Sequence, residues 1–174
     1  LVAIDHASGQ TRVVRTFVSP DSIGFGFAAG RLTVAAGKLW FAYVADYRGG
    51  VIEATLWVSD GSPAGTIDLQ ASAGRFGSDS GALVAAIGDI VYFGSFDSRG
   101  FELWRSDGTR DGTRLEADLA PGPQSSVPSH LVASGDSLFL LTAPYVEGEP
   151  TVDGQRSHVR DQIATNLKPS GGAH

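Results

Sequence analysis

The sequence contains no cysteine, so it can form neither a disulfide nor a thiolate metal site. It contains no methionine either, position 1 included, and the reading that follows is a processed product or an excerpt of a longer chain. Lysine is scarce, with only Lys38 and Lys168 among 13 basic residues set against 19 acidic ones, and the formal net charge is −6. No stretch offers phosphates a cationic surface, which argues against a nucleic-acid partner. Long hydrophobic runs are also missing. Leu1 to Ile4 is far too short for a secretory core, and nothing approaches the ~18 apolar residues of a membrane span, so neither a signal peptide nor a span is visible. What the chain does have is 42% hydrophobic residues, 18% charged residues, 23 Gly and 8 Pro over 174 positions. That composition suits a globular protein built from many short strands and turns.

The organising feature is a repeat. Leu56-Trp-Val-Ser-Asp-Gly-Ser-Pro-Ala-Gly-Thr66 returns as Leu103-Trp-Arg-Ser-Asp-Gly-Thr-Arg-Asp-Gly-Thr113, 47 residues later. Periods of about 20–50 residues signal units that stack on copies of themselves because none can bury its own face alone. Further landmarks recur between these phrases. Gly37, Gly88 and Gly135 each precede an apolar run, and counting from them puts Phe41, Tyr92 and Phe139 at one register. Leu1-Val-Ala-Ile-Asp5 with Thr11 reads as a degenerate first copy.

Each unit resolves into four short strands: a Leu-x-Ala opening strand, the apolar run, the Leu-Trp strand, and a strand starting at Thr66 or Thr113. Asp60-Gly61 and Asp107-Gly108 favour hairpin turns, since Gly tolerates positive φ and Asp can bond its own backbone. Four antiparallel strands in about 47 residues fit a propeller blade. The expected fold is therefore all-β, a partial β-propeller-like array of four-stranded antiparallel blades with about three units and an irregular C-terminal tail. The repeat region spans 1–145, with units at about 1–31 (partial), 32–82, 83–130 and 131–145 (partial). Residues 146–174 read as a degenerate repeat and disordered tail, in which Val159, Ile163 and Leu167 permit a short amphipathic helix. Trp57 and Trp104 are expected to wedge between neighbouring units. Three units are too few to close a ring, so the remaining blades of the same polypeptide are expected partners.

At these residues the unit resembles the bacterial ELWxxDGT repeat. Glu102-Leu-Trp-Arg-Ser-Asp-Gly-Thr109, Gly112-Thr113, Asp118-Leu-Ala-Pro-Gly122, Ser125-Ser126, Pro128, Leu131 and Gly135 to Phe139 match its pattern, whereas the preceding copy has Thr55 for Glu and Ser62 for Thr and lacks the Pro-Gly linker. The resemblance implies a propeller-like region of large secreted or cell-surface bacterial proteins, and it transfers no catalytic motif.

Among candidate sites, Asp46, Tyr47 and Arg48 match Asp97 and Arg99 in position after the apolar run, and together they form the expected ligand-binding patch on a loop rim. Their bland alternative is an ordinary polar turn. Asp60 and Asp107 recur in turns and admit Ca2+ binding, but a turn-capping role without metal is the stronger reading, so neither a metal nor a cofactor is expected. His6, His130, His158 and His174 show no ligand spacing, no GxSxG elbow or phosphate loop is present, and Glu147 with Glu149 reads as solvated loop rather than a glycosidase pair. The expected function is a non-catalytic extracellular or cell-surface module, a scaffold or adhesion domain for a glycan or protein ligand. The competing expectation is a fragment of a secreted carbohydrate-active propeller enzyme.

Overall fold

The structure is a computed structural model that describes residues 1–17, 32–48, 51–75, 84–142 and 162–163, with the backbone alone for 44–48, 51–53, 73–75 and 162–163. The chain is all-β, with thirteen strands and no helix among the described residues. The first sheet pairs β1 (Val2–Ile4) with β2 (Thr11–Val13). The second is a four-stranded antiparallel meander of β3 (Thr33–Ala35), β4 (Lys38–Arg48), β5 (Val51–Ser59) and β6 (Thr66–Arg75). The third repeats that order with β7 (Ala85–Ile87), β8 (Ile90–Asp97), β9 (Gly100–Ser106) and β10 (Arg114–Ala117). The fourth joins β11 (Ser129–Ser134), β12 (Ser137–Thr142) and β13 (Gln162–Ile163). Ile163 thus lies in an extended segment paired with Leu141, where its spacing from Val159 and Leu167 had suggested a helix. The rest of that tail, with Glu147, Glu149, Pro150, His158 and His174, lies outside the described residues.

Turn chemistry sets the register, and it corrects the alignment counted from glycines. The β3–β4 hairpin turns at Ala36-Gly37, both at positive φ, whereas β7–β8 and β11–β12 turn at Gly88-Asp89 and Gly135-Asp136, with the positive φ on the glycine. All three are two-residue turns, but in the second sheet the glycine is the second turn residue and in the others the first. Phe41 therefore corresponds to Phe93 rather than Tyr92, and these two sit directly across from Trp57 and Trp104. A one-residue slip moves every side chain to the opposite face, so this difference decides which residues meet at a seam.

The core lies between sheets. In the second sheet, Phe41 and Trp57 share one face, while Trp40, Leu56 and Val58 share the other. Trp40, Leu56, Val58, Leu69 and Ala71 pack against Val91, Phe93 and Trp104 of the third sheet. The opposite face of the third sheet, with Ala85, Tyr92 and Leu103, packs against Leu138 and Leu140 of the fourth. On the N-terminal side, Phe17 inserts among Phe41, Tyr43 and Trp57 at centroid distances of 5.9, 4.4 and 5.1 Å, and Arg15 lies 5.3 Å from the Trp57 ring centroid. Trp57 and Trp104 are thus equivalent: each is half-buried and each faces the preceding unit.

Candidate functional site

The repeated Ser-Asp-Gly phrase builds the same hydrogen-bonded loop twice. The link is not a two-residue hairpin, because Ser59 pairs with Thr66 and Asp60 to Gly65 form the loop between them. Ser62 donates its backbone N–H and its hydroxyl to Asp60 Oδ1, both at 2.7 Å, and its oxygen accepts the Gly65 N–H at 2.9 Å. Ser59 Oγ accepts from Gly61 N–H and bonds Thr66 Oγ1 at 2.6 Å, and the Thr66 hydroxyl donates to the Ser62 carbonyl. In the third sheet, Thr109, Gly112, Ser106, Gly108 and Thr113 reproduce every one of these bonds around Asp107. Gly61 and Gly108 share a φ of 88°, and a Cβ on Gly65 or Gly112 would overlap the Asp60 or Asp107 carboxylate. The hydroxyls of Ser62 and Thr109 hold the two carboxyls below the usual carboxylate range, with smaller help from the neighbouring backbone and from Lys38.

Asp5 makes a related loop in the first sheet, where the N–H and hydroxyl of Ser8, three residues on rather than two, both donate to its Oδ1 at 2.7 Å. Between units, Lys38 Nζ donates to the Asp107 carbonyl at 3.1 Å and Arg110 Nε donates to the Asp68 carbonyl at 2.8 Å. The Asp107-Gly108 loop therefore stitches the third sheet to the second as well as closing its own hairpin.

Glu102 performs a second structural task that its place in the motif did not reveal. Fully buried, it accepts the Ser126 N–H at Oε1, and the Leu119 N–H and the Ser126 hydroxyl at Oε2, at 2.8, 2.8 and 2.6 Å. The Val127 N–H donates to the Phe101 carbonyl and the Phe101 N–H to Ser125 Oγ. One carboxylate and two serines thus fasten the linker from β10 to β11 onto β9. In the second unit the same position is Thr55, whose Oγ1 accepts the Trp57 indole N–H at 3.0 Å, while the buried Trp104 Nε1 has no partner among the described residues.

The opposite rim carries the β8–β9 hairpin and the start of this linker. There Asp97 and Arg99 pair with each other: the Arg99 N–H donates to Asp97 Oδ1 at 2.8 Å, and its guanidinium meets Oδ2 at 3.1 Å through Nε and 2.5 Å through the terminal nitrogen. Arg99 depresses the Asp97 carboxyl, and Asp97 in turn raises Arg99, with Asp118 adding to the effect. Next to them Phe96 is an exposed aromatic ring that the repeat pattern did not single out. Asp46, Tyr47 and Arg48 end β4 in register with Glu53, Ile52 and Val51, and their side chains lie outside the described residues. Among the described residues no group of three His, Cys, Asp or Glu side chains converges to hold a metal, and no helix is long and apolar enough to cross a membrane. No family model, curated protein or solved structure matches the chain.

Proposed function

We propose that the chain is a section of a β-propeller-like array of the ELWxxDGT kind, serving as a non-catalytic scaffold or adhesion module outside the cell. The observation that carries this reading is where the repeated polar groups go: Asp60, Asp107 and Glu102 all accept hydrogen bonds from their own turns and linker. Groups engaged in this way fix turns and linker and so stabilise a frame. The ligand we propose is a glycan bound at the β8–β9 rim. Phe96 offers an apolar ring to a sugar face, and the Asp97–Arg99 pair offers adjacent acceptors and donors for hydroxyls. The backbone of Asp46, Tyr47 and Arg48 ends the corresponding hairpin of the preceding unit, and the proposed patch includes these residues.

A glycan array probed with the chain tests this directly. Retention on at least one glycan class is expected, and Phe96→Ala or Arg99→Ala should weaken it by about tenfold or more, on the order of 1.4 kcal/mol, with the unfolding midpoint unchanged. Binding that survives both substitutions removes the rim from the function, and an array without retention removes the glycan.

A further inference from the structure

Three Asp-Gly steps fall among the described residues: Asp60-Gly61, Asp107-Gly108 and Asp111-Gly112. Asp-Gly is the step at which an aspartate side chain most readily closes on its own backbone, because the glycine nitrogen that attacks the carboxyl carbon has no Cβ beside it. All three aspartates are exposed, so access of water does not separate them. Hydrogen bonding does. At Asp60 and Asp107 both reacting groups are held: the Gly61 and Gly108 N–H groups donate to Ser59 and Ser106 Oγ at 3.0 Å, and Oδ1 accepts the N–H and hydroxyl of Ser62 or Thr109. These bonds turn each carboxyl away from the next nitrogen, and it lies so close to Gly65 or Gly112 that a Cβ there would overlap it. They also favour the ionised form, which has no hydroxyl to lose. Asp111 is held at one group only. Its carboxyl accepts no hydrogen bond among the described residues, while the Gly112 N–H donates to Thr109 Oγ1 at 3.0 Å. The loop after Asp60 has Ala64 at that position and no second Asp-Gly step.

From this contrast we infer that Asp111 is a site of spontaneous isoaspartate formation, and that the modification opens the Asp107 loop and loosens the seam between the second and third sheets. Water is the only co-reactant. The Gly112 nitrogen bonds to Asp111 Cγ, and the carboxyl hydroxyl leaves with the amide proton as water, closing a cyclic imide. Water then adds at the former backbone carbonyl and breaks its bond to the nitrogen, so the main chain runs through the Asp111 side chain and a carboxylate remains on Cα. Mass and oxidation state return to their starting values, but the main chain gains a methylene. The loop has no room for it. Gly112 lies against the Asp107 carboxylate, and the Thr113 N–H and hydroxyl donate to the Arg110 carbonyl at 3.1 Å and the Thr109 carbonyl at 2.5 Å. Arg110 and Asp107 in turn carry the bridges to Asp68 and Lys38 of the second sheet, so a displaced Gly112 is felt across the seam. The hydroxyls of Ser62 and Thr109 thus guard the two repeated steps, and the third stands open beside them.

Ageing the folded chain in mildly acidic buffer tests this. Chymotryptic cleavage after Trp57, Leu69, Trp104 and Leu115 isolates Val58–Leu69 with Asp60 and Arg105–Leu115 with the other two steps, and electron-transfer fragmentation locates each isoaspartate. Isoaspartate should form at Asp111 at least about tenfold faster than at Asp60 or Asp107, the rate ratio that the extra hydrogen bonds to a charged group supply. Unfolding in urea should bring the three rates together. The aged wild type should show a lowered urea midpoint, whereas Asp111→Ala, which copies Ala64 of the preceding loop, should keep its midpoint through the same ageing. Equal rates at the three steps in the folded chain, isoaspartate at Asp111 only after unfolding, a modified chain with the unmodified midpoint, or an equal fall for wild type and Asp111→Ala would each overturn the inference.

Discussion

At Glu102 a carboxylate is held in the interior by two backbone N–H groups and a hydroxyl, with no ion-pair partner among the described residues. Removing it orphans donors on Leu119 and Ser126, and a buried unpaired donor costs about 1–3 kcal/mol. Glu102→Ala should therefore lose about 3 kcal/mol in a urea titration. Glu102→Gln keeps one acceptor but turns an amide N–H toward a donor, and should lose about 1–2 kcal/mol. An alanine variant within about 0.5 kcal/mol of wild type would show that the linker does not depend on this anchor. Thr55 makes the same point from the other side: where the residue is not Glu, the position serves the indole of Trp57.

The strands and loops were legible in the sequence to different depths. The two Leu-Trp phrases, the Asp-Gly loops and the four-strand meander all follow from spacing and turn chemistry, because a repeated hydrophobic period and repeated glycines constrain the backbone twice over. What spacing did not reveal was the one-residue difference between the Ala36-Gly37 and Gly88-Asp89 turns, since a glycine serves either turn position and only the pairing fixes which. The linker anchor was hidden for another reason: Glu102 meets Ser126 across 24 residues, and no local pattern encodes that contact. Phe96 was hidden because an apolar run reads as buried until its end is seen at a rim. For the loops themselves, the depressed Asp60 and Asp107 carboxyls give a sign. Their stabilising effect is complete above the unfolded carboxylate value of about 3.9 and is lost as pH falls through the lower folded values. The melting temperature should thus fall as pH drops from about 5 toward 2. Ser62→Ala with Thr109→Val, which removes the main cause of both shifts, should flatten that slope; an unchanged slope would place the acid sensitivity elsewhere.

Across the whole molecule, stability is carried by seams between sheets rather than by any sheet alone, so neighbouring units should unfold together only while the seam between them holds. Trp40 is the most exacting member of that seam: it is fully buried, it contacts both the second and third sheets' core, and its indole N–H donates to the Ala35 carbonyl at 2.9 Å. Trp40→Ala opens a cavity between units that the surrounding strands can close only in part, which should cost about 3–5 kcal/mol. The remaining indoles then become separate reporters, Trp57 for the second sheet and Trp104 for the third. With Trp40 present, variants that retain only one of these two as a reporter should melt along one curve. With Trp40→Ala, the Trp57 and Trp104 curves should separate, because the lost seam energy is the coupling between them. If they still coincide, the Lys38–Asp107 and Arg110–Asp68 bridges are enough to couple the units, and substituting those two cations with alanine in the same background should pull the curves apart.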